Sequence, residues 1–283
     1  MHPIERLRYV ARSGGGDDVE LVAESARALA SFADDPAGLV AAARRLLVRH
    51  PTSGPMWSMA ARLVTAADPW AEAAAVASAA EDDPVPAALA AALPDEATVV
   101  VVGWPVSVLA ALVRRGDATV LAVDDGSGVD VGRVLARVDV EVVDVPAEGV
   151  GAAAAHADVV ALEAVALGPD AAIASPGSRA AAAVARHAGG TVWLTAPAGS
   201  VVPAAVYAAG PAAALTSRPV GGGGAVGSFG SFGHDEVPLD LVDRVVGPDG
   251  PVEPAEAARW AGPLAPELLR GGSTPGTHRP GRG

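Results

Sequence analysis

From Ile4 to about Leu93, apolar residues recur three and four positions apart, the spacing that lays one apolar stripe along a helix. Val19, Val22, Ala26 and Leu29 form one stripe; Leu39, Ala43, Leu46 and Leu47 form another. Breakers separate the segments. Gly14, Gly15 and Gly16 precede Asp17 and Asp18; Asp34 and Asp35 precede Pro36; His50 to Pro55 precedes a helix over Met56 to Thr65. Acidic residues at such starts face the positive end of a helix dipole. The Ala-rich stretch Ala67 to Asp95, punctuated by Pro69, Pro84, Pro86 and Pro94, reads as short helices connecting two domains.

After Asp95 the period changes. Thr98 to Val102 is an unbroken β-branched run of strand length, the pattern of a strand buried on both faces. A helix over Val106 to Arg115, a strand over Thr119 to Val123, a helix over Val129 to Arg137, a strand over Val140 to Val143 and a helix over Gly149 to His156 follow. Val159 to Leu162, Ala171 to Ile173, Thr191 to Thr195 and Leu241 to Val246 continue the strands, with a helix over Arg179 to His187. Such alternation predicts an α/β fold, a helical N-terminal domain followed by a Rossmann-like domain with a mainly parallel sheet and right-handed crossovers. The expected division is 1–94 for the helical domain and connection, 95–270 for the α/β domain and 271–283 for a disordered tail. Gly221 to Gly233 reads as a mobile loop.

Composition narrows the chemistry. In 283 residues, 51% are hydrophobic and 19% charged, which suits a packed core rather than wholesale disorder. There is no cysteine, so disulfides, thiolate nucleophiles and cysteine zinc sites are excluded. All twenty basic residues are arginine, which removes Schiff-base chemistry and a phosphate-loop lysine. A net charge of -13 with no basic patch argues against nucleic acid and against an anionic membrane surface. Met1 to Arg6 has no apolar signal-peptide core and no stretch is apolar enough to span a bilayer, so the expectation is a cytoplasmic protein.

Few motifs survive inspection. Gly103 follows a strand and Asp124 lies about twenty residues on, as in a dinucleotide site, but Trp104, Pro105, Val106, Ser107 and Val108 supply none of the later glycines. His2, His50, His156, His187, His234 and His278 are too scattered to hold a metal, and no cofactor is expected. Pro176-Gly177-Ser178-Arg179-Ala180 lacks the second glycine of a nucleophile elbow. It suits an anion site better, because Gly177 and Ser178 stand where a helix begins and Arg179 adds a charged fork; an ordinary helix cap is the alternative. Glu163 closes the run Val159 to Leu162, at the strand end that faces the ligand crevice of a parallel sheet. It reads either as a general acid or base with a raised pKa, or as a carboxylate capping a backbone N–H.

The order of these segments carries a resemblance. Ala157 to Val165, Gly168-Pro169-Asp170, Pro176-Gly177-Ser178, the Ala-rich Ala181 to Ala185 and Thr191 to Pro197 resemble a family with diverse members. It joins the alpha, beta and delta regulatory subunits of translation initiation factor 2B, methylthioribose-1-phosphate isomerase and ribose-1,5-bisphosphate isomerase. Arg49 to Ser53 looks like the family's Arg-Pro-Thr-Ser turn, Arg12 to Gly15 like its early Ser-Gly segment, and Glu236 to Asp243 like its closing strand. The resemblance implies a homodimer formed through the α/β domain and a cleft between domains for a phosphorylated small molecule. Arg12, Ser13, Gly14, Gly103, Trp104, Ser107, Glu163, Gly177, Ser178 and Arg179 would line that cleft. The isomerases pair a cysteine after the first strand with an aspartate. Here Trp104 and Glu163 stand at those places, Ala174 and Ser175 replace an Asn-Lys, and Asp125-Gly126-Ser127 replaces an Arg-Pro. Losing one of two proton carriers costs a factor of about a hundred to ten thousand. The leading expectation is therefore a catalytically degenerate ligand binder with a regulatory or assembly role. An active sugar-phosphate isomerase with Glu163 as base, with a water or Ser107 replacing the thiol, and a purely structural partner are the alternatives.

Overall fold

The computed structural model describes residues 18–138, 140–216 and 233–269. Arg12, Ser13 and Gly14, the tail 271–283 and all of the glycine-rich stretch except Gly233 lie outside them.

Five helices come first: α1 (Asp18–Ala30), α2 (Pro36–Arg49), α3 (Gly54–Thr65), α4 (Pro69–Glu81) and α5 (Val85–Ala92). Their starts are written in the sequence. Asp35 accepts the N–H of Gly38 at 2.9 Å, Ser53 that of Met56 at 3.4 Å, and Asp68 those of Trp70 and Ala71, each with a proline in the first turn that follows. The expected connection over 67–95 is more than a connection. The apolar face of α4, with Ala73, Val76 and Ala77 buried, packs on α1 as a full member of the helical lobe. Small residues let the two backbones approach closely.

The α/β lobe runs β1 (Thr98–Val102), α6 (Val106–Arg115), β2 (Thr119–Val123), α7 (Val131–Leu135), β3 (Glu141–Val145), α8 (Val150–His156) and β4 (Val159–Glu163). It continues through β5 (Ala166–Leu167), β6 (Ala171–Ala174), α9 (Ser178–Ala188), β7 (Thr191–Thr195), α10 (Ala204–Tyr207) and α11 (Ala213–Thr216). The last elements are β8 (Asp235–Pro238), β9 (Arg244–Gly247), β10 (Gly250–Val252) and α12 (Pro266–Leu269). Seven strands form one sheet in the order β10-β9-β7-β4-β1-β2-β3, parallel except for β10. The four valines of β1 are all buried, as the unbroken run predicts for a central strand covered on both faces.

Three local expectations are corrected. Ala171 to Ile173 does not join the main sheet; β6 pairs antiparallel with β5 and β8 in a separate three-stranded sheet. Leu241 to Val246 is not one strand, because Leu239–Leu241 is a 3-10 turn and the strand spans Arg244–Gly247. Asp243 sets that start: its N–H donates to Val192 and its carboxylate accepts the N–H of Val192, locking β9 beside β7. The helix over 129–137 shortens to Val131–Leu135, which continues as a 3-10 turn.

One apolar core joins the lobes. Met56, Trp57 and Met59 of α3 pack in the same cluster as Ala166, Ile173, Val202, Val206 and Tyr207. The C-terminal turn returns to this core through Ala265 and Leu268, with the Arg44 guanidinium donating to the Glu267 carbonyl. Asp83 ties the lobes as well, accepting N–H groups of Val85 and Ala198 at 2.9 Å each. Burial pushes its carboxyl above the ordinary carboxylate range, against the lowering effect of those two donors. The folded state therefore holds this proton more tightly than the unfolded chain. This group's contribution to stability is complete below the ordinary carboxylate value and is lost as pH rises through the raised one. The melting temperature of the wild type relative to Asp83→Asn should fall as pH climbs through that window; a difference that grows with pH contradicts the assignment.

Candidate functional site

Parallel strands direct their carboxyl ends to one edge, where the loops that leave β1, β2 and β4 gather, and the loop after β6 of the smaller sheet reaches the same place. Gly103 ends β1 with φ of 65°, a conformation that side chains resist, and a Cβ on it would lie 2.1 Å from Asp125 Oδ2 and 3.1 Å from Ser175 Oγ. A Cβ on Gly177 would lie 3.5 Å from Val102. Gly103, Asp125, Ser175 and Gly177 thus share one small volume at the end of β1.

Glu163 ends β4 in this group. Its Oε2 accepts the N–H of Ser107 at 2.6 Å, in the first turn of α6, which no side chain of its own neighbourhood caps. Of the two roles read from sequence, the structure displays the cap. Ser107 is buried, and the half-buried Glu163 is close enough to serve the orphan donor because β1 and β4 are adjacent strands. Trp104 leans into the core on the α6 face of the sheet, with its indole N–H buried and without a hydrogen-bond partner among the described residues.

The start of α9 is built as expected and is already occupied. Gly177 adopts φ of 94°, and the apolar face of the helix, Ala181, Ala182 and Ala185, is buried against the sheet. The N–H groups of Gly177 and Arg179 both donate to Asp235 Oδ2, at 2.9 and 3.1 Å, and the N–H of Ser178 donates to the Ser175 carbonyl. Asp235 reaches this seat because β8 pairs with β6 in a register that sets it opposite Ala174. The side chain of Arg179 is exposed. Sequence reasoning missed Asp235, since a lone aspartate 58 residues away carries no local mark of a cap.

Beside this group lies an open cavity of about 470 Å³, floored by Ala122, Val123, Val131 and Val145 and rimmed by Asp124, Asp125, Asp130 and Asp144. Among the described residues no arginine lines it. Among the described residues no cluster of histidine or carboxylate side chains could hold a metal ion, and no helix is long and apolar enough to cross a membrane.

Solved structures with the same arrangement decide the fold. A translation initiation factor eIF-2B of Pyrococcus horikoshii OT3 superposes with a TM-score of 0.68 at 14% identity, over 90% of this chain and 98% of that one. The chain has the eIF2B fold. The eIF2B-beta2-delta2 tetramer of C. thermophilum gives a TM-score of 0.65 at 15% identity, covering 90% and 93% of the two chains. The delta subunit of A. fulgidus eIF-2B gives 0.53 at 17% identity, covering 88% and 86%. No protein-family model and no curated protein sequence matches the chain. The eIF2B fold is thus shared at 14–17% identity.

Proposed function

We propose that this chain is a non-catalytic eIF2B-fold protein that works by assembly with other chains, its anion seat closed by its own carboxylate. The observation that carries the reading is Asp235 on the N–H groups of Gly177 and Arg179, where a phosphate would need those donors. A phosphorylated ligand would meet further repulsion from Asp125, which lies against Gly103, and among the described residues would find no arginine in the adjoining cavity. Proton transfer is equally poorly served. Trp104 offers no acid or base, and Glu163 holds the N–H of Ser107. Assembly is favoured by the neighbours, one of which is a beta2-delta2 tetramer.

Thermal shift with ribose-1,5-bisphosphate, methylthioribose-1-phosphate and AMP tests the closed seat. A ligand at about a hundred times its dissociation constant adds about 2.7 kcal/mol, so binding would be plain. The wild type should show no shift and no isomerase turnover, while light scattering should report a multimer. Stabilisation of the wild type by any of these compounds, or turnover abolished by Glu163→Gln, overturns the reading. Asp235→Ala should lower stability by about 1 kcal/mol through the lost helix cap.

A further inference from the structure

The edge of the main sheet that ends in β3 differs from the opposite edge. There β10 closes the sheet as a short antiparallel strand, whereas β3 has no strand beyond it among the described residues. The carbonyl of Val145 accepts the N–H of Asp124, which follows β2, so the alternation of a parallel strand turns the backbone groups of Glu141, Val143 and Val145 toward β2. Those of Val142 and Asp144 point outward, away from the sheet. Val143 is 48% exposed, the side chains of Glu141 and Asp144 are exposed too, and the carboxyl end of β3 opens into the 470 Å³ cavity.

Charge selects what fits this edge. Asp124, Asp125 and Asp130 each use only Oδ1, on the N–H groups of Gly126, Ser127 and Arg133, and Asp144 makes no hydrogen bond or ion pair among the described residues. Asp144 lies over α7, where a Cβ on Gly132 would come within 2.1 Å of its Oδ1. Four carboxylates thus face one hollow, with no lining cation among the described residues. A second copy of β3 would bring the same carboxylates together, which disfavours self-pairing.

We propose that β3 is a docking edge for an extended basic segment of a partner protein, which adds as a strand beyond Val142 and Asp144 and places arginine or lysine side chains in the acidic hollow. Backbone hydrogen bonds supply the register and the carboxylates supply the preference for a cationic sequence. The proposal rests on β3 and its hollow alone and is independent of whether the seat at α9 binds phosphate.

The test uses the full chain and a labelled peptide, Arg-Val-Arg-Val-Arg-Val-Arg, read by fluorescence anisotropy at low and physiological ionic strength. Two controls accompany it: the same peptide N-methylated at alternate residues, which keeps the charge and removes strand hydrogen bonding, and its glutamate counterpart. Binding of the first peptide alone is expected, weakened at least tenfold by Asp144→Asn and further by Asp144→Pro, which also removes an outward N–H that β2 does not use. Equal binding of the N-methylated peptide reduces the edge to a diffuse acidic patch and overturns the proposal. So does an absence of binding at low ionic strength, or a mass change on Asp144→Pro that reveals β3 paired with a second copy.

Discussion

Gly54→Val should destabilise the protein by about 3 kcal/mol, at the upper end for overpacking, and lower its melting temperature by about 6–12 °C. The reason is what surrounds the glycine at the start of α3. A Cβ there would lie 2.5 Å from the Ser200 carbonyl oxygen, 3.0 Å from Ser200 Cα and 3.1 Å from Ala166 Cα. All three are backbone atoms, so no rotamer change relieves the contact. The N–H of Gly54 also donates to the Val165 carbonyl at 2.9 Å, and any shift that admits a side chain breaks this bond between lobes. Differential scanning calorimetry checks the magnitude. A loss below about 1 kcal/mol would mean that the lobes slide apart easily.

Trp57→Ala should cost more, about 4 kcal/mol, and lower the melting temperature by about 8–16 °C. The indole is buried in the core shared by the lobes and donates to the Pro51 carbonyl at 2.9 Å. Its ring faces Gly210, where a Cβ would lie 2.4 Å from the nearest ring atom. Gly210, which lies against the ring, has no side chain to fill the space that truncation leaves. Trp57→Phe keeps most of the ring and loses the hydrogen bond, so its cost should be about 1–2 kcal/mol. Val48→Ala, at a position 80% exposed on α2, should be silent and serves as the control. Because both lobes share this core, each variant should shift a single transition rather than split it in two.

Much of the fold was legible in local pattern. The change of period near Asp95 marks the passage from helices to strands, and TVVVV at 98–102 is an inner strand of the sheet, where cover on both faces accommodates so many apolar residues in a row. The helix start at Asp35 was readable because a cap acts within three residues. The strands that periodicity left unread, β5, β8 and β10, are two to four residues long. Segments that short carry too few alternations to register a period. The placement of β6 was misread for a related reason: Ala171 to Ile173 is apolar enough for either sheet, and only its pairing partners distinguish them.

The candidate site divides along the same line. By itself the sequence determined which chemistry is unavailable, with no cysteine, no lysine and tryptophan after the first strand, and it located Glu163 at a strand end and Ser178 at a helix start. Those facts are carried by single residues and their immediate neighbours. Only the tertiary structure decided what the groups do. Glu163 caps α6 because β1 and β4 are adjacent, and Asp235 closes the start of α9 because β8 pairs with β6 across the intervening chain. A hydrogen bond depends on positions to within a few tenths of an ångström. Between residues 56 or 58 apart in sequence, that precision comes from strand register and packing, which no local pattern encodes.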